Sequence, residues 1–171
     1  MRHLVHMKSP ISWVVSFAAL CLVTFSCRED ESLDVNVPFR TEPIAEDFSS
    51  IADPRARWAA YNLSGYVVEQ SVLCFCPYPG DVRVIIEGNR VTDVIRKSDG
   101  VSLYADVGQS HKTVDELFAF AGSVHPDSVA DLRVEYDARF GFPRLVYIDY
   151  DARIIDEERG FQTDHIERLI R

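Results

Sequence analysis

The run from Ile11 to Phe25 sets the first limit on what this chain can fold into. Its 15 residues are apolar apart from Cys21 and small hydroxyl residues, and a short basic start (Arg2, His3, His6, Lys8) precedes them. A membrane-spanning helix needs about 20 apolar residues, so the run is short for a span and suits the core of an export signal. Cys27 comes two residues later, behind the small Ser26. The chain is therefore expected to divide into a signal peptide over 1–26 and a mature part starting at Cys27, and the fold has to come from the mature part.

Ser26-Cys27 resembles a bacterial lipobox, in which a small residue precedes the cysteine that is lipidated and becomes the mature N-terminus. The pattern departs at Thr24, where Leu is usual. Lipidation at Cys27 would moor the chain to a membrane of the bacterial cell envelope, with the outer membrane or the cell surface favoured. A plain secretory signal or an uncleaved anchor is the alternative. Cys21 is the poorer candidate, because bulky Leu20 precedes it. The acidic run Arg28-Glu29-Asp30-Glu31 resembles the surface-export tags of some bacterial lipoproteins, and reads equally well as a solvated tether. No apolar period persists from Arg28 to Ala52, and Pro38 and Pro43 interrupt the stretch. Residues 27–52 are thus expected to be the lipidated Cys and an acidic, flexible linker.

The remainder, 53–171, is long enough for one domain. Hydrophobic residues make up 47% of the 171-residue chain and charged ones 26%, which permits a packed core. The formal net charge is −9; since only Arg2 and Lys8 carry charge before Cys27, the part after it stands at −11. That balance argues against nucleic acid, whose affinity comes from Lys and Arg neutralising phosphates, and against a polybasic grip on anionic lipid.

Asp53-Pro54 reads as a helix start, a capping side chain followed by Pro at the first helical position, with Trp58 and Tyr61 on one face. Leu63 to Cys76 reads as a long strand with Tyr66, Val68, Val72, Cys74 and Cys76 on one face. Pro77-Tyr78-Pro79-Gly80-Asp81 breaks it. Asp81–Glu87 and Arg90–Arg96 are the next strands, around a Gly88-Asn89 hairpin, with Val91 and Ile95 expected on one side and Val94 on the other. Lys97 to Lys112 looks irregular. Thr113-Val114-Asp115-Glu116 fits a capping box, and Val114, Leu117, Phe118 and Ala121 then recur at helical spacing up to Gly122. Leu132, Val134 and Tyr136 alternate with charged residues as a half-exposed strand. Leu145–Tyr150 is apolar on both sides and is expected to be central, and a short last strand is expected around Phe161 and Thr163. The predicted fold is α+β, in the order α-β-β-β-α-β-β-β. It has one antiparallel sheet of about five or six strands, with two helices packed on one face. No dinucleotide loop or P-loop is present.

With these elements in place, the chain resembles DUF6174, an uncharacterised bacterial family of mostly short exported proteins and lipoproteins. The residues that carry the likeness are Trp58, Tyr66, Cys74-Phe75-Cys76, Thr113 to Phe118, Val134 to Asp137, and Gly141-Phe142-Pro143 through Ile148-Asp149. The resemblance implies no activity and carries over no catalytic residue.

Cys74 and Cys76 are the most unusual candidates. In a regular strand, residues two apart hold their Cβ atoms well beyond the ~3.5–4.5 Å that a disulfide needs, so a bond requires a bent strand end, which Pro77 makes possible. The structural reading, a bonded or buried pair, is favoured over a reactive one. No metal is expected: two thiols with scattered His111, His125 and His165 lack ligand spacing. Asp149, Asp151, Asp156, Glu157 and Glu158 lack the glycine and the alternating ligands of a calcium loop. No cofactor is expected. Asp137, Gly141 and Pro143 sit in a turn where a structural role is favoured over a binding edge; with Tyr78 and Phe142 they mark the possible interaction loops. The expected function is a non-enzymatic envelope module that meets a protein partner. A thiol-dependent enzyme or redox protein using the Cys-x-Cys pair is the alternative.

Overall fold

The computed structural model describes residues 39–77 and 79–170. The expected signal peptide, Cys27, the acidic run and Tyr78 lie outside the described residues. The elements in chain order are β1 (Arg40–Glu42), α1 (Pro54–Ala60), β2 (Gly65–Leu73), β3 (Val82–Glu87), β4 (Arg90–Arg96), α2 (Tyr104–Val107), α3 (Val114–Gly122), β5 (Asp131–Tyr136), β6 (Pro143–Asp149) and β7 (Arg159–Ile170). Short 3-10 turns lie at Gly108–Ser110 and Pro126–Ser128. The seven strands form one antiparallel sheet in the order β4-β3-β2-β7-β6-β5, and β1 pairs with β7 outside that path. The fold is α+β, as the patterning predicts. No helix among the described residues is long and apolar enough to cross a membrane.

Local signals place the elements that carry the core. Asp53 caps α1 by accepting from the Ala56 N–H at 2.6 Å. Both halves of the capping box form at α3: Thr113 Oγ1 accepts from Glu116 N, and Glu116 Oε2 accepts from Thr113 N. Gly88 and Asn89 both take positive φ, the geometry of a two-residue hairpin between β3 and β4. One main cluster then joins Trp58 of α1 and Val114 and Phe118 of α3 to Tyr66, Val68, Val84, Ile86, Val94 and Ile166 of the sheet. Both helices therefore cover the same face. Opposite them, among the described residues, lies a small cluster of Val67, Ile85 and Ile95 with Phe39 and Leu169.

Five expectations need correction. The stretch expected to be linker up to Ala52 is folded from residue 40. Arg40–Glu42 pair with Arg168–Ile170, Ile44 is buried in the main cluster, and Phe48 stacks edge-on against Tyr61. Such short contacts leave no periodicity to read. The last strand is not short: β7 has 12 residues and lies between β2 and β6. His165 is an extra residue with φ 48°, opposite the Val68/Glu69 step, so buried Phe161 and Thr163 change phase to buried Ile166. A bulge of that kind hides a strand from a period-two search. A second bulge at Thr92 puts Val91 on the side of Val94, with Ile95 on the other. Lastly, β2 ends at Leu73, short of the cysteines, and the region 97–112 carries α2 and a 3-10 turn.

Candidate functional site

At the sheet end where Leu73 of β2 faces Gly160 of β7, an open cleft of about 990 Å³ reaches from the cysteine pair to the loop before β7. Cys74 and Cys76 are joined by a disulfide, with Cα atoms 5.3 Å apart. The chain bends just past the strand: the Cys76 N–H donates to the Cys74 carbonyl at 2.9 Å. Both cysteines are exposed, and Phe75 between them is 83% exposed. The disulfide thus makes a small knuckle that holds an aromatic side chain in water at the mouth of the cleft.

Three elements supply the cleft wall. Phe120 of α3 and Phe161 of β7 meet edge-to-face at 5.4 Å, and the Lys112 ammonium lies 5.9 Å and 5.4 Å from their ring centres. Both distances are within cation–π range. Gln70 fixes Lys112 from within the sheet. Its amide donates to the Lys112 carbonyl at 3.0 Å and to Thr163 Oγ1 at 3.3 Å, and its Oε1 accepts from the Lys112 N–H at 2.8 Å. Gln70 and Thr163 are both buried. Replacing Gln70 with leucine is expected to cost about 2–4 kcal/mol in a urea titration, because two backbone groups of Lys112 lose their partner in a buried place. Tyr150, Asp156, Glu157, Glu158 and Arg159 complete the far wall. Glu157 Oε1 is buried there without a hydrogen-bond partner among the described residues. Aromatic surface beside charges of both signs suits a segment that is itself part apolar and part charged.

The other candidates form a different structure. The Asp137 carboxylate caps its own turn by accepting from Arg139 N and Phe140 N. Arg57 of α1 reaches across to this turn: its guanidinium donates to the Asp137 and Ala138 carbonyls and to Ile51 and Ala52 on its own side. Arg139 returns the clasp to the carbonyls of Ile44 and Glu46. Phe142 is 2% exposed and packs against Trp58, while Pro143 is fully buried. Gly141, Phe142 and Pro143 are thus interior residues, and the burial speaks for the structural role there and against a binding edge. Asp137, Arg139 and Phe140 border a separate cleft of about 310 Å³, alongside Ile166 and Glu167 near the other end of β7. The two loops do not converge.

Among the described residues no group of three or more His, Cys, Asp or Glu is placed to hold a metal. His111 is buried, with neither ring nitrogen hydrogen-bonded among the described residues, and burial lowers its pKa to about 4. The Tyr66 hydroxyl accepts from Val114 N at 3.0 Å, and burial raises its pKa well above the usual phenol value. Lys112, Phe120 and Gln70 are not visible as site residues in the sequence. They come from separate elements, and only the adjacency of the two cysteines marks the place.

The model of a family described as a family of unknown function, DUF6174, matches residues 50–168. No curated protein and no solved structure matches the chain.

Proposed function

Because the chain belongs to the DUF6174 family of unknown function, which brings no activity with it, we propose a function from the chain's own residues. It is a lipid-anchored module of the bacterial cell envelope that binds a protein partner at the Cys74–Cys76 knuckle. Support for the anchor is the short apolar run ending at Ser26-Cys27. A disulfide suits an oxidising compartment of that kind. The observation that carries the binding reading is Phe75. An aromatic ring left in water, yet fixed between two bonded cysteines beside an aromatic cleft, is the form of a preorganised contact residue.

Two measurements on the full chain in cells test it. An alkyne fatty acid should label the chain, and Cys27→Ala should abolish both the label and recovery in the membrane fraction. A photo-crosslinking residue at position 75 should give a discrete adduct that the same residue at exposed Asn89 does not give. Persistent label in the Cys27 variant would sink the anchor. Equal adducts at both positions, or none, would sink the binding site.

A second reading, thiol–disulfide exchange, also has an observation behind it. The bond spans only three residues, so the chain-entropy stabilisation it supplies is small, about 1.5 kcal/mol, and both cysteines are exposed. In that reaction a partner dithiol becomes a disulfide as Cys74 and Cys76 become thiols. Failure to oxidise a reduced dithiol peptide stoichiometrically excludes it.

A further inference from the structure

We infer that β5 is a self-association edge: two copies of this chain pair β5 to β5, antiparallel, about a two-fold axis at Val134. The main path of the sheet ends in β4 and β5, and the three-residue β1 lies outside it, paired with β7. The chain itself covers the outer side of β4, where Leu103 N donates to Val94 O, Arg96 N donates to Val101 O, and Ser102 bridges Ile95. Among the described residues only β6 pairs with β5, so alternate backbone groups of Asp131–Tyr136 face outward. Some of the usual defences of an open edge are missing from this strand, although Asp131, Arg133 and Glu135 are charged. It has no Pro or Lys, and the extra residue of the nearby bulge, Arg144, lies in β6, which leaves β5 regular.

The side-chain pattern selects the occupant and the register. In an antiparallel pair, residues directly opposite share a face, and opposite charges there attract while like charges repel. Centring the axis on Arg133 sets Arg133 against Arg133 and Asp131 against Glu135, which is repulsive throughout. A centre at Leu132 matches Arg133 with Asp131 but overlaps only residues 131–133. Centring on Val134 overlaps 132–136, sets Arg133 against Glu135 twice, and places Leu132 opposite Tyr136 twice. Arg133 and Glu135 are both about half exposed; each already pairs within its own chain, with Asp131 and Arg144, so the pairs between copies form by exchange of these exposed ion pairs. The other face of the strand offers apolar surface. Tyr136 stacks on Phe118 at 5.9 Å, and a cleft of about 280 Å³ lined by Pro54, Phe118, Ala121, Val134 and Tyr136 runs along the edge. Val134 and Leu132 of the second copy fall beside it. This self-complementarity in charge and side-chain order makes a second copy a better fit than an unrelated strand.

The test is sedimentation equilibrium of the full chain in detergent micelles. The wild type is expected to show a monomer–dimer equilibrium. Glu135→Arg and Arg133→Glu should each weaken it about tenfold or more, since two attractive pairs become repulsive. Mixing the two variants should restore association, because each then offers the charge the other lacks. Unchanged urea midpoints establish that the variants fold. A wild type that stays monomeric at the highest attainable concentration overturns the proposal. So does a dimer indifferent to Glu135→Arg, or a mixture that fails to recover.

Discussion

Replacing Gly141 with alanine is expected to lower folding stability by about 4 kcal/mol or more, a loss few single substitutions produce. Two costs combine. Gly141 has φ +84°, in the left-handed region, where an L side chain costs about 1–2 kcal/mol. A Cβ there would also overlap the Pro54 carbonyl oxygen and come within 3.1 Å of Arg57 Cβ. Those atoms are the first turn of α1, so relief requires moving the helix. A displaced α1 would stretch the Arg57 hydrogen bonds to the Asp137–Ala138 turn and the packing of Trp58 on Phe142. Gly88 is the control. It has φ +55° with nothing within 4 Å of where a Cβ would stand, so Gly88→Ala should show the backbone cost alone, about 1 kcal/mol. Urea unfolding of both variants separates the two costs. Equal losses at the two glycines would mean that the 137–141 turn is not clamped on α1.

That clamp also shows where sequence reading stops. The elements legible in the chain are those whose signals are local: the Asp53 cap, the Thr113–Glu116 box, the Gly88-Asn89 turn and the alternation of β3 and β5. Each depends on residues within one turn or one strand. The central strand β7 looks shorter than it is because one extra residue, His165, reverses which positions point inward. β1 escapes notice because three residues cannot display a period. Arg57 and Arg139 look like ordinary surface charges in the chain. Their partners across the clamp lie 80 residues or more away, and no local pattern encodes such a contact.

The candidate site divides in the same way. Cys74-Phe75-Cys76 stands out because thiols two residues apart are unusual, and the bent strand end that a bond requires is present. What the pair adjoins is not legible, since Lys112, Phe120 and Phe161 meet only through tertiary packing. The knuckle and the clamp carry opposite physics. The knuckle keeps an aromatic ring out in water, where a partner can reach it. The clamp buries Phe142 and Pro143 and satisfies backbone carbonyls with guanidinium groups, as a structural joint does.

Acid should expose a weakness inside this core, at His111. The residue is 5% exposed, neither nitrogen has a partner among the described residues, and burial lowers its pKa to about 4 against a normal 6.5. The unfolded chain therefore binds a proton at this position over the interval between those values while the folded chain does not. By linkage, stability is at its full value above pH 6.5, falls as pH drops towards 4, and levels off below that. The total loss attributable to His111 is up to ~3 kcal/mol. Carboxylates also titrate in acid, so the difference between wild type and His111→Leu isolates the imidazole. The variant removes two unsatisfied buried nitrogens, and it should be as stable as wild type or slightly more so at pH 7. Its advantage should then widen steadily from pH 6.5 to pH 4, as urea midpoints across that range would report. Parallel stability curves for the two proteins would mean that His111 is hydrated in solution and not buried as a neutral ring.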